Sequence, residues 1–152
     1  MFNSIDYMSF AIKEAIKAKN KKEIPVGAII VDDKGKIIAK AHNLVERNNN
    51  STCHAEKLVI DKALKITGNR YLEKFDIWVT LEPCIMCAGI IKQTRLRRLY
   101  FGADDKKGGA VENGPQVLVK EQANGSIDIY SGFSKEKAEL LLKDFFRELR
   151  TN

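Results

Sequence analysis

Two short motifs hold the side chains best suited to chemistry in this chain. His54-Ala55-Glu56 offers an imidazole and a carboxylate two positions apart, and Pro83-Cys84-Ile85-Met86-Cys87 offers two thiols in Cys-x-x-Cys spacing. Thiolate and imidazole ligands suit Zn²⁺, and that spacing lets two sulfurs reach one ion. His54, Cys84 and Cys87 are therefore candidate zinc ligands. A structural zinc site usually has four protein ligands, and only three good ones converge here. The other histidine, His42, falls in a predicted strand without ligand-like spacing. A fourth position is then open to water, whose pKa falls from about 15.7 to roughly 7 on such an ion. Glu56 can stand beside that water without binding the metal, as a candidate carrier of protons.

Each piece alone has a plainer reading. A lone Cys-x-x-Cys is often a structural metal knuckle or a pair of core thiols. A histidine at a helix start is usually a cap or a packed residue, and a glutamate in a first turn complements the helix dipole. Their conjunction, with Pro83 and a helix and strand between the motifs, argues for one site. Cys53 neighbours His54 but has no partner spacing, and reads as a small buried side chain.

The surrounding pattern shows how these residues are placed. Met8, Ala11, Ile12 and Ala15 have helical spacing. Val26–Val31 reads as a buried strand, Asp32-Asp33-Lys34-Gly35 as a turn and Ile37-Ile38-Ala39 as a returning strand, so a hairpin is expected. A helix follows from about His54 to Ile66, stopped by Gly68-Asn69. Ile77–Leu81 is a third strand, and Pro83 fits the first turn of a helix from about Cys84 to Lys92. Each motif thus opens a helix, and a helix N-terminus lowers a thiol pKa. Arg98–Phe101 is a fourth strand and Ile127–Tyr130 a short fifth. Residues 102–125 read as loop plus a short helix. The last helix carries the stripe Ala138, Leu141, Leu142, Phe145 and Leu149. Strands alternating with helices argue for a layered α/β domain with partly parallel strands.

At 152 residues the chain has the size of one domain, taken as residues 1–152. Lys and Arg number 26 against 20 Asp and Glu, giving +6, a balance compatible with a nucleic-acid partner. No run approaches the ~18 apolar residues that cross a bilayer, so no membrane partner is expected. The N-terminus lacks a secretory pattern. An odd cysteine count with Cys-x-x-Cys fits a reducing, cytoplasmic setting.

The joined pattern H-x-E…P-C-x-x-C is the signature of zinc nucleobase deaminases. The chain resembles the bacterial tRNA adenosine deaminases of the cytidine-deaminase superfamily. The resemblance rests on Glu23–Ala28, His54-Ala55-Glu56, Val79–Gly89, Phe101-Gly102-Ala103 with Asp105 and Gly109-Ala110, and Asp144–Arg147. It implies an α/β fold with three α/β/α layers around a five-stranded mixed sheet. It implies a homodimer with one Zn²⁺ per subunit, hydrolysing the wobble adenosine of a tRNA anticodon to inosine, chiefly in an arginine tRNA. A flipped adenine would be attacked at C6, with Glu56 as the catalytic residue. Asn43 matches an asparagine that contacts the nucleoside, and Val26 and Leu81 match positions lining the base pocket. Ala55 and Pro83, inside the two motifs, join the expected substrate-binding set. Asp105 matches an acidic residue in a loop bordering the RNA, and Phe145, Phe146 and Arg147 match its RNA-binding edge. By its stripe Phe145 reads as core, leaving Phe146 off it. Lys106 and Lys107 could contact phosphate or be plain loop charge. Asp104 departs from the pattern by making that loop more acidic. Two rivals remain: a deaminase of a free base or nucleoside of guanine or cytosine type, and a zinc-stabilised RNA-binding module with no use for Glu56.

Overall fold

The computed structural model describes residues 5–118 and 126–151. In chain order the elements are α1 (Tyr7–Asn20), β1 (Gly27–Val31), β2 (Ile37–His42), α2 (Ala55–Thr67), β3 (Asp76–Leu81), α3 (Ile85–Gln93), β4 (Arg98–Ala103), β5 (Asp128–Tyr130) and α4 (Lys135–Thr151). The five-stranded sheet runs β2-β1-β3-β4-β5. β1 is antiparallel to both neighbours, whereas β3, β4 and β5 are parallel. The mixed sheet expected from the resemblance is therefore present.

Alternation along the strands builds two cores. Ile77, Val79, Leu99 and Phe101 pack against Val59 and Ile60 of α2 and Ala88 and Ile91 of α3. On the other face Trp78 packs with Met8, Ala11 and Ile12 of α1 and Ala138 of α4, while Leu81 at the end of β3 touches both cores. Helices on both faces make every residue of β1 buried, which is why Gly27–Val31 reads as a continuous apolar run. α1 lies so close to the start of β1 that a Cβ on Gly27 would overlap the Ala11 carbonyl oxygen. Cross-strand partners Trp78, Tyr100 and Tyr130 form a ladder on the α1/α4 face. Trp78 and Tyr100 stack at 3.8 Å, and Phe133 meets both edge-on.

The topology brings four chain segments to one sheet edge. Antiparallel pairing sets Gly27 opposite His42, so Val26 and Asn43 emerge side by side. The Gly27 amide also donates to Thr80 Oγ1 at 3.2 Å, beside the end of β3. Parallel pairing places Leu81 next to Ala103, so β3 and β4 release their chains at that same edge. Carboxyl ends of parallel strands are where open α/β sheets bind ligands.

Two expectations change. The stretch 102–125, expected as loop plus a short helix, forms turns and bends without a helix over residues 104–118, and its residues 119–125 lie outside the described residues. α4 is less buried than its stripe implies: Ala138 and Phe145 are buried, but Leu149 is 60% exposed because it borders a cavity, not the core.

Candidate active site

His54 is the N-cap of α2 and Cys84 that of α3, both with extended backbones. Among the described residues neither side chain caps its own helix. Asn43 does that work for α2: its Oδ1 accepts the Ala55 amide at 2.8 Å. The imidazole is thereby released towards the thiols. His54 Nδ1 lies 3.6 Å from Cys84 Sγ and 3.6 Å from Cys87 Sγ. The three donor atoms all lie within 4.8 Å of one another. Tetrahedral zinc with ordinary bond lengths separates N and S donors by about 3.5 Å. The donor set and its spacing therefore fit one zinc ion.

The electrostatics suit a divalent cation. The Cys84 thiol, hydrogen-bonded by Cys87, is lowered to about 4, with His54 adding to the effect against burial. Cys87 is pushed upward by that same contact and by burial. The pair shares one proton, which a divalent cation replaces. His54 is raised by its contact with Cys84. Glu56, in the first turn of α2, is pushed up to about 7 by burial, with Cys84 adding to the rise. A carboxyl in that range can both take and return a proton near neutral pH.

These groups border a cavity of about 750 Å³. His54, Glu56 and Cys84 line it, and Cys87 lies fully buried behind them. Of the other sequence-predicted residues, Val26, Asn43, Leu81, Asp105 and Phe146 line the same cavity. With Oδ1 of Asn43 engaged by Ala55, its amide nitrogen is the group left to face a ligand. Three predicted residues sit elsewhere. Ala55 is fully buried and acts through its amide, and Pro83 is buried with its carbonyl accepting the Ala110 amide at 2.9 Å. Arg147 is exposed and paired with Asp144 at 2.7 Å, one turn away on α4. Phe145 does more than its stripe implies, being buried and also lining the cavity. Asp104 pairs with Lys135 at 3.2 Å, which offsets the local acidity of its loop.

Sequence reasoning assigned no role to two buried carboxylates. Glu82 takes five hydrogen bonds from the loop after β4. Its Oε1 accepts the Asp105 amide and Asn113 Nδ2, and its Oε2 accepts the amides of Val111, Glu112 and Asn113. A Cβ on Gly109 would overlap the Glu82 carboxyl group, so a glycine is required there. Glu23 accepts the Glu46 and Arg47 amides at 2.9 and 2.8 Å. Both glutamates lie within stretches carrying the resemblance, but neither has spacing that signals a partner. Cys53 is buried, as expected, with Asn48 Nδ2 at 3.6 Å from its sulfur.

The chain's first 103 residues match a family model, the cytidine and deoxycytidylate deaminase zinc-binding region. That match defines the class: a deaminase domain built on a zinc-binding region. A tRNA-specific adenosine deaminase of Bacillus subtilis is 47% identical over 95% of this chain and 89% of its own length. One from Rickettsia bellii is 44% identical over 94% of this chain and 99% of its own. A solved structure from work on A-to-I editing by tRNA:A34 deaminases at the wobble position superposes with a TM-score of 0.85 at 41% identity. It covers 90% of this chain and 98% of the other. Guanine deaminase from Nitrosomonas europaea shares the fold, with a TM-score of 0.75 at 22% identity over 91% of this chain and 81% of its own. This chain belongs to the tRNA-specific adenosine deaminase family. Among the described residues no helix is long and apolar enough to cross a membrane.

Proposed function

We propose that the chain hydrolyses adenosine to inosine at the wobble position of a tRNA anticodon, with an arginine tRNA as the expected substrate. The observation that carries this reading is the buried Glu56 on the wall of one open cavity, beside the clustered donors of His54, Cys84 and Cys87. Similarity to the tRNA-specific enzymes supports the choice of substrate. The protein acts in the cytoplasm as a homodimer with one zinc per subunit.

His54, Cys84 and Cys87 hold the zinc, which when bound supplies a Lewis acid that makes water nucleophilic near neutral pH. Glu56 takes a proton from the attacking water and delivers it to adenine N1, so that C6 becomes tetrahedral. The same carboxylate then carries a proton to the exocyclic amino group, which leaves as ammonia while a carbonyl forms at C6. Adenosine and water thus give inosine and ammonia. Asn43 holds the nucleoside through its amide nitrogen, Val26 and Leu81 wall the base, and Phe146 at the rim offers a stacking surface to an adjacent unpaired base.

The test is conversion of adenosine to inosine in an anticodon stem-loop, with and without a chelator. Conversion that the chelator abolishes supports the reading. Activity on free guanine or cytidine with none on the RNA overturns it.

A further inference from the structure

At the rim of the cavity a lysine rests on an unusual partner. Lys21 closes α1 as its C-cap, and its Nζ lies 3.1 Å from His42 Nε2. His42 Nδ1 lies 3.0 Å from Glu14 Oε1, and Glu14 Oε2 lies 2.7 Å from Lys17 Nζ. His42 and Glu14 are both buried. An ammonium can only donate, so Nε2 of His42 accepts, and Nδ1 carries the proton donated to Glu14. The hydrogen bonds from Lys17 and His42 outweigh burial and keep the Glu14 carboxyl below the ordinary range.

The charges in this chain do not cancel. Lys17 offsets Glu14, and Lys21 rests on a ring nitrogen and not on a carboxylate, so it is held in place without being neutralised. Lys22 follows with a left-handed backbone, φ 62°, and is exposed. Among the described residues neither Lys21 nor Lys22 forms an ion pair. The nearest acid in sequence, Glu23, is turned inward to the amides of Glu46 and Arg47. Lys21 and Lys22 line the same cavity as Glu56 and Asn43, and Asn43 directly follows His42.

We propose that Lys21, positioned by His42 and Glu14, binds a backbone phosphate of the RNA strand next to the nucleotide held by Asn43. A lysine held by a carboxylate would arrive with its charge already offset. One held by an imidazole nitrogen keeps both a fixed direction and a full charge for an incoming phosphodiester. Such a contact positions the strand without reading its sequence. This inference rests on the RNA substrate proposed above.

Lys21 is exposed, so Lys21→Gln leaves the fold intact and decides the matter alone. KM and kcat are measured on the anticodon stem-loop across a potassium chloride series. The variant should raise KM about fivefold at low salt and flatten the slope of log(1/KM) against log[salt] by roughly 0.7 to 1. The factor should be the same when the base beside the target is changed, and kcat should move much less than KM. His42→Leu should give the same shift, with little added by Lys21→Gln in the double variant, while His42→Gln, which keeps an acceptor, should stay near the wild type. An unchanged salt slope in Lys21→Gln overturns the phosphate contact. Additive effects in the double variant overturn the positioning role of His42. If His42→Leu does not fold, the His42→Gln comparison and the Lys21→Gln slope still decide. A wild type that makes no inosine takes down the parent reading and this one together, whereas turnover with an unchanged slope takes down only this one.

Discussion

Glu82 Oε1 accepts the backbone amide of Asp105 at 2.9 Å. A carboxylate one residue ahead of the Pro83-Cys84 turn thereby holds Asp105, part of the wall of the same cavity. One side chain thus ties the loop after β4 to the strand end that leads into Cys84.

Glu82→Gln should loosen that wall. Whichever way the new amide turns, its NH₂ group faces N–H donors, because donors approach both oxygens. Each orphaned buried donor costs ~1–3 kcal/mol. The expected loss of stability is on the order of 2–4 kcal/mol, read from urea unfolding. Midpoints equal to the wild type would mean that the loop is held by other contacts.

The same carboxylate should make the fold acid-sensitive. Burial pushes the Glu82 carboxyl up, but hydrogen bonds from Asn113, Asp105 and Val111 outweigh it and hold it below the ordinary value of 4.5. Its folded pKa thus lies below its unfolded one. The stabilisation is fully present above the unfolded value and is lost as pH falls through the folded one. On titrating from about pH 6 to about pH 3, wild-type stability should therefore fall more than that of Glu82→Gln. Parallel curves for the two proteins would contradict this.

Glu56→Gln keeps the shape of the side chain but cannot accept the proton. Turnover should drop on the order of a thousandfold, with bound zinc unchanged by atomic absorption. His54→Ala should instead lose the metal. Full zinc content in His54→Ala would show the ligand set to be wrong, and near-normal turnover in Glu56→Gln would remove the proton carrier.

Two neighbours on α4 should behave differently. Phe146 lines the cavity and is 40% exposed, meeting Phe145 edge-on. Base–aromatic stacking contributes about 1–3 kcal/mol per base, so Phe146→Ala should raise the KM for RNA severalfold or more. Arg147 is occupied by Asp144 away from the cavity, and Arg147→Ala should change KM by less than about twofold. Equal effects of the two variants would mean that the helix edge, not the cavity rim, meets the RNA.

The metal triad was legible because its parts are local: Cys-x-x-Cys and His-x-Glu each span one helical turn, and each opens an element. The strands were legible because Ile77–Leu81 and Val26–Val31 are too apolar to lie outside a sheet. What escaped were groups whose partners are distant in sequence. Glu82 meets amides of residues 105 and 111–113, and no periodicity marks such a contact. Glu14 sits among Ala11, Ile12, Ala15 and Ala18 on the buried side of α1, where helical spacing calls for an apolar residue. Its presence makes sense only once β2 brings His42 against it. Within the stretch expected as loop plus a short helix, residues 104–118 hold no helix for a related reason. That stretch takes its shape from Glu82 and from Asp105, whose Oδ1 accepts the Lys107 and Gly108 amides.

The aromatic ladder gives the protein a built-in optical gauge. The chain has a single tryptophan, Trp78, and it lies parallel to Tyr100 within 3° on the sheet face covered by α1 and α4. The candidate metal ligands His54, Cys84 and Cys87 sit at the N-termini of α2 and α3, which pack on the opposite face. Its fluorescence emission therefore reports how firmly those two covering helices are seated, an assay of folding that needs no label and no turnover.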